Sequence, residues 1–486
     1  MNHDENSRSG SMLDPADWEE LRQQAHTMLD DMLDYLRDVR SRPVWQPAPE
    51  SARQQFHAVL PRTGDSLNQL HQVFMQDVLP YAAGNAHPGF MGWVHGAGTV
   101  TGMLAEMLAA GLNANVGGRN QMPVEVERQI TRWMAELFGF PADASGVFVT
   151  GTSMANLLAV WIARVRFMGV DVRRNGVATT HLAPVAYASA ATHGSLEQAF
   201  DLSGFGTRVL RRVPLNDNRQ IDTEALRVMI AADRARGFHP FMLTGNAGTV
   251  DTGAIDDLAE LARIAREEGM WFHVDGALGA PAMMHPQLAE KLVGIGEADS
   301  IAFDFHKWGQ VPYDAGFILV RDASLHLDTF SSPAAYLRRE QDGLAGGSPW
   351  PCDLGPDLSR GFRALKTWFT LRHLGMDVLG ESMARSCQVA QHLAARVTSE
   401  PELELLAPVA LNIVCFRYVC DDADRVNAKI AVAVQLSGEA APSTTLIDGQ
   451  LAIRAAIVNH RTREEDVDRL LAAVLRWGRE YSGRTT

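Results

Sequence analysis

Ser300-Ile301-Ala302-Phe303-Asp304-Phe305-His306-Lys307-Trp308 is the stretch on which the reading of the fold turns. Its first four residues read as a short buried strand, and the strand runs directly into Asp304, His306 and Lys307. A lysine in such apolar company is unusual. Desolvation disfavours its ammonium form and leaves a nucleophilic amine. Working outward, the same design recurs. Short β-rich runs bounded by Gly, Pro or Asp stand at 146–150, 185–189, 207–213, 241–244, 271–274 and 316–320. Helical periodicity fills 102–114, 123–138, 154–168, 195–203, 222–236 and 256–268. This alternation predicts an α/β fold with a mostly parallel seven-stranded sheet covered by helices. Ligands of such sheets sit outside the carboxyl ends of the strands.

The flanks follow other patterns. Leu13, Trp18, Leu21, Ala25, Met28, Leu29, Met32 and Leu36 recur at helical spacing, with Asp14-Pro15 as the start signal. A passage with Pro43, Pro47 and Pro49 and a helical stretch at 66–79 follow, so 1–80 reads as an N-terminal helical layer. The large domain spans 81–375. From 376 to 486 a small α+β domain is expected, with a helix at 377–397, strands at 411–418 and 450–458, and a last helix at 463–480.

Hydrophobic residues make up 46% and charged residues 21%, the balance of a soluble chain with a large core. The net charge of −14, with no basic stripe, argues against nucleic-acid binding. Residues 1–12 lack the basic and apolar parts of a secretory leader, and no apolar run reaches the ~18 residues of a membrane span. Cys352, Cys387, Cys415 and Cys420 show no CxxC spacing and read as reduced thiols of a cytoplasmic protein.

Chemistry-bearing residues collect after the expected strands. Thr150-Gly151-Thr152-Ser153 opens an apolar helix, where backbone N–H groups and the helix dipole favour an anion. His193 follows the run at 185–189. Asp275 closes the run at 271–274 in His273-Val274-Asp275-Gly276-Ala277, and Lys307 follows the run at 300–303. Each alone has an ordinary reading as a cap, a structural histidine or a solvated lysine. Together they supply a phosphate cradle, a face to stack on, an acid for a ring nitrogen and an amine for an aldehyde, which are the needs of pyridoxal phosphate. Competing readings are weaker. Gly96-Ala97-Gly98 with Gly102 misses the spacing of a dinucleotide loop. His273, Asp275 and His306 match no HExxH or CxxC pattern, so no metal is expected. A Gly-x-Ser-x-Gly elbow is absent.

From about Trp18 to about Val474 the chain resembles the group II pyridoxal-dependent amino-acid decarboxylases, the family of the aromatic-L-amino-acid, histidine and glutamate decarboxylases. The resemblance is most specific in Ala298-Asp299-Ser300, Asp304 to Trp308 and Val311-Pro312-Tyr313. His87-Pro88 with Phe90, the stretch 113–118, the stretch 360–368 and Leu411-Asn412-Ile413-Val414-Cys415-Phe416-Arg417 also carry it. It implies the fold-type I transferase-like architecture and a homodimer with its active site at the subunit interface, the N-terminal layer wrapping the partner. It implies that Lys307 carries the cofactor as a Schiff base and that Asp275 pairs with the pyridine nitrogen. Ala277 then packs on the ring, while His193 stacks on the opposite face and steers proton transfer. Thr152 and Ser153 hold the phosphate, with Asp304 and His306 nearby. The implied reaction is decarboxylation of an L-amino acid to the amine and CO2.

The departures sharpen the questions. Many members carry a proton-donating tyrosine on a loop that here reads Gly346-Gly347-Ser348-Pro349-Trp350-Pro351-Cys352-Asp353, and Tyr336 lies well before it. Oxidative decarboxylation–deamination to an aldehyde is therefore an alternative, and a related carbon–carbon lyase is a second. Gly276, Leu278, Val250 and Met154 also differ from the usual residues. Trp93, Val94, His95 and Gly96, with Gly117, Gly118 and Arg119 of the neighbouring subunit, are the expected substrate wall. This wall is more polar than in aromatic decarboxylases, and Arg119 is a candidate partner for an acidic side chain.

Overall fold

The seven runs fold as seven strands of one sheet. The computed structural model describes residues 13–179, 182–332 and 338–483, so Tyr336 lies outside the described residues. In chain order the strands are β1 (Phe90–Met91), β2 (Ser145–Val149), β3 (Pro184–Ser189), β4 (Leu210–Val213), β5 (His239–Asn246) and β6 (Trp271–Asp275). They continue with β7 (Ser300–Asp304), β8 (Gly316–Val320), β9 (Leu403–Leu405), β10 (Ile413–Tyr418), β11 (Ala441–Ile447) and β12 (Gln450–Ala456). The large sheet runs β2-β8-β7-β6-β5-β3-β4, and only β8 is antiparallel to its neighbours. The expected run at 207–213 contributes β4 only from Leu210, because Thr207–Val209 closes a 3-10 turn.

These strands read as unbroken apolar runs because both faces are covered. One face sets Val149, Ala186, Met242, Ala302 and Ile318 against helices Thr152–Met168 and Gly194–Leu202. The alternate residues, Phe148, Tyr187, Leu243, Phe272 and Phe303, meet helices Met122–Phe138 and Leu258–Glu268 on the other face. At Gly316 a Cβ would lie 2.4 Å from the Cα of Gly151. The missing side chain lets β8 pass the turn that leads into helix Thr152–Met168.

The second sheet runs β1-β11-β12-β10-β9 and carries its own core, with Val414, Phe416, Ile453 and Leu470 among its members. Its strand β1 comes from far upstream and pairs in parallel with β11. The N-terminal helix spans Trp18–Arg37 and is capped by Asp17 rather than Asp14, the Asp17 carboxylate accepting from Glu19 N–H at 2.9 Å and Glu20 N–H at 3.0 Å. None of its residues is buried in the single chain. Among the described residues, no helix is long and apolar enough to cross a membrane.

Candidate active site

The carboxyl ends of β2, β3, β6 and β7 open into one cavity of about 470 Å³. Its wall includes Thr152, Ser153, His193, Asp275, Ala277, Asp304, His306 and Lys307, brought together from four separate strand ends. Trp93 and His95 also line it, whereas Arg119 does not.

Lys307 is not isolated among apolar groups, as its neighbours in sequence suggest. Its Nζ lies 2.7 Å from Asp304 Oδ2, and its side chain is 23% exposed to the cavity. Asp304 is buried at the end of β7, and its other oxygen accepts the backbone N–H of Thr152 at 2.8 Å. One carboxylate thus ties the lysine to the first turn of helix Thr152–Met168. His306 Nδ1 accepts the Ala315 N–H at 2.9 Å, which leaves the ring hydrogen on Nε2, 3.8 Å from Asp304. Burial holds the His306 pKa below the usual histidine range.

The cavity fits pyridoxal phosphate on this chain's own features. Helix Thr152–Met168 has no side-chain N-cap, and the hydroxyl of Thr152 is buried there without a partner. An anion with several acceptor oxygens meets both needs. Across the cavity each oxygen of Asp275 already takes one hydrogen bond, from Asn156 Nδ2 at 2.9 Å and from Ala277 N–H at 3.1 Å. A carboxylate retains acceptor capacity beyond these two for a ring N–H. Among the described residues no cluster of three or more His, Cys, Asp or Glu is placed to hold a metal.

Several wall residues were not singled out in sequence. Arg454 of β12 is buried, donating from Nε to Asp251 O at 3.0 Å and from Nη1 to Trp93 O at 2.9 Å and Ser443 Oγ at 3.2 Å. Its other terminal nitrogen donates to Val250 O. An arginine inside an apolar strand was the available signal, since arginine is seldom buried without partners. The Asp251 carboxylate faces the same cavity and accepts from Thr445 Oγ1 at 2.6 Å. The rings of Phe90 and Trp93 flank His95, with centroids 5.6 and 5.9 Å away. The Tyr313 ring lies 4.3 Å from that of His306.

Arg119 has a local partner instead. Its guanidinium sits 4.6 Å from the Trp350 ring centroid, and that of Arg339 sits 3.5 Å from it. The neighbouring glycines have packing reasons. A Cβ on Gly117 would meet Leu358 O at 1.9 Å, and one on Gly118 would meet the Trp350 ring at 2.3 Å. Gly118→Ala is therefore expected to destabilise the fold by about 1–3 kcal/mol through overpacking, read as a lower urea midpoint.

Comparison with known proteins gives a consistent picture. Residues 49–419 match the model of the pyridoxal-dependent decarboxylase conserved domain. The aromatic-L-amino-acid decarboxylase of Bacillus atrophaeus is 30% identical over 475 residues, 96% of each chain. The phenylacetaldehyde synthase of Arabidopsis thaliana is 28% identical over 485 residues, 94% of this chain and 96% of that one. In backbone, a crystal structure of Oryza sativa TDC with PLP and tryptamine superposes with a TM-score of 0.88. The match covers 96% of this chain and 99% of that one at 23% identity, a likeness of fold alone.

Proposed function

We propose residue roles from the premise that the chain belongs to the pyridoxal-dependent decarboxylase family. It is a carboxy-lyase that uses pyridoxal phosphate to convert an L-amino acid into the amine and CO2. One observation carries the assignment of roles. A single cavity holds a lysine, an acid with acceptor capacity, a histidine face and a helix N-terminus whose N-cap residue gives no side-chain bond. The bound cofactor supplies an electron sink for the pair left when the bond to the carboxylate breaks.

Lys307 holds the cofactor covalently. Asp304 would hold the ammonium of Lys307 when that lysine is free, in keeping with the 2.7 Å contact. Thr152 and Ser153 hold the phosphate at the helix N-terminus, with Asp304 and His306 beside it. Asp275 accepts the ring N–H, Ala277 packs against one face of the ring, and His193 covers the other. His193 Nδ1 accepts the Ser195 N–H at 3.1 Å, so in the neutral ring the hydrogen is on Nε2. His193 Nε2 and the Tyr313 hydroxyl are the proton carriers for the substrate carbon. Burial pushes the Tyr313 pKa up to about 12, so the hydroxyl stays protonated around neutral pH.

The partner subunit completes the site in a homodimer. The N-terminal helix with no buried residue and the exposed Met107, Leu108 and Leu112 support this reading. Arg119 would then reach the partner's cavity, against its stacking on Trp350 in the single chain. Its replacement by Ala is expected to change the ranking of acidic against neutral substrates, and an unchanged ranking removes it from recognition. A polar substrate side chain is favoured by Asp251, Ser443 and Thr444 in the wall. Free cysteines support a cytoplasmic location.

The loop at 346–353 favours a second reading. It lacks a tyrosine, and its Trp350 is buried with Nε1 donating to Gly346 O at 2.8 Å. Slow protonation would let O2 and water intervene, giving aldehyde, CO2, ammonia and hydrogen peroxide. Turnover under oxygen decides between the two readings. Amine and CO2 in equal amounts without O2 uptake are expected, whereas aldehyde with equimolar peroxide establishes the oxidative reaction.

A further inference from the structure

We propose that Asn156 is a positioning residue that aims both the Asp275 carboxylate and the His193 imidazole into the cavity. The proposal rests on the cofactor roles given above for Asp275 and His193. Asn156 lies one turn into helix Thr152–Met168 and is fully buried. Its Oδ1 faces His273 Nε2 at 2.9 Å. Its Nδ2 donates to Asp275 Oδ2 at 2.9 Å and to Ser195 Oγ at 3.3 Å.

The direction of these bonds follows from the Asp275 end of the row, where the carboxylate can only accept and so takes the Asn156 amide N–H. The Trp271 indole, which can only donate, reaches Ser300 Oγ at 2.9 Å. Ser300 Oγ lies 2.8 Å from His273 Nδ1. Ser300 Oγ accepts the indole hydrogen and keeps its own to give to His273 Nδ1, since the ring hydrogen of His273 is needed at Asn156 Oδ1. The His273 hydrogen is then on Nε2 and goes to Asn156 Oδ1. Both amide hydrogens of Asn156 remain for Asp275 and Ser195. Burial depresses the His273 pKa to about 4, so the ring carries a single hydrogen. Reversing the amide would set its oxygen against the Asp275 carboxylate, acceptor to acceptor.

The two arms serve different parts of the site. The first meets the Ala277 N–H bond on the opposite carboxylate oxygen, and together they fix the plane of Asp275. The second reaches Ser195, whose Oγ lies 2.9 Å from His193 Nδ1. That contact keeps the hydrogen of His193 on the cavity side. One carboxamide therefore sets the acid at the ring edge and the histidine over the ring face, two groups on different strand ends.

Asn156→Asp keeps the shape and replaces the donor by an acceptor, so that one of two facing carboxylates must take a proton. Full-length protein is loaded with pyridoxal phosphate, and its dissociation constant and visible spectrum are followed across pH 6–9. The expected result is a dissociation constant raised about tenfold or more, as befits one charge-assisted hydrogen bond lost, and a band whose position becomes pH-dependent. Thermal melting of the cofactor-free protein checks the fold. Ser300→Ala, which removes the hydrogen that orients His273 together with the acceptor of the Trp271 indole hydrogen, is expected to shift both readouts in the same direction by a smaller factor. If Asn156→Asp does not fold, Ser300→Ala decides. Wild-type affinity and an unchanged spectrum in a folded variant overturn the proposal. Failure of the wild-type chain to bind pyridoxal phosphate would instead overturn the roles on which it rests.

Discussion

Lys307→Ala is expected to lower kcat by about a thousandfold or more, a barrier increase of about 4 kcal/mol. Among the described residues Lys307 is the one lysine in the cavity wall, and only an amine at that place can hold an aldehyde covalently. Treatment with borohydride followed by dialysis measures this directly. Wild-type protein is expected to retain the cofactor, and the variant to release it. Retention by the variant would show that another amine carries the cofactor. The fold is expected to survive, because the side chain is partly exposed and its loss leaves Asp304 still bonded to the Thr152 N–H.

The second large effect is expected at Asp275. Asp275→Ala leaves the ring nitrogen without its anionic acceptor and strips Asn156 Nδ2 of a partner. A lost hydrogen bond to a charged group corresponds to about 1.5–3 kcal/mol, which is roughly a ten- to hundredfold loss of cofactor affinity. The fall in kcat at saturating cofactor is expected to be larger, about a hundredfold or more, because a hydrogen held on the ring nitrogen matters most as negative charge develops. A kcat close to wild type with weakened affinity would reduce Asp275 to an anchor.

The sheet was legible because its strands are buried on both faces and so read as apolar runs ending in Gly, Pro or Asp. The second sheet and its helices were less legible. β10, β12 and the flanking helices Met376–Ser399 and Glu464–Ser482 follow their patterns, whereas β9, β11 and helix Ala423–Ser437 were not picked out. β11 mixes Pro442, Ser443 and two threonines, and its outer half is only partly covered, so it has no apolar run. The Asp448-Gly449 pair between β11 and β12, with φ values of 50° and 78°, was a readable hairpin signal.

The site shows the same division. Thr152, His193, Asp275 and Lys307 stand at strand ends, where position alone suggests chemistry. Arg454 and Asn156 act through partners remote in sequence, 361 positions away for Arg454 and Trp93 and 119 for Asn156 and Asp275. No local pattern reports such a pairing. A buried asparagine inside Ala155-Asn156-Leu157-Leu158 was the trace it left. Around Arg119 the two preceding glycines have a packing reason that the sequence does not report, since they admit Leu358 and Trp350.

The parallel pairing of β1 with β11 also sets a schedule for synthesis. Phe90 and Met91 leave the ribosome well before their partners Ala441 and Pro442, which follow 351 residues later. Trp93, two residues beyond β1, is anchored by Arg454, which emerges later still. The seven-stranded sheet can assemble while translation continues, since its last strand ends at Val320. The wall that carries Trp93 and His95 has to wait for β11 and β12. A nascent chain stalled before residue 441 would present Lys307 and Thr152 without the wall that Arg454 anchors.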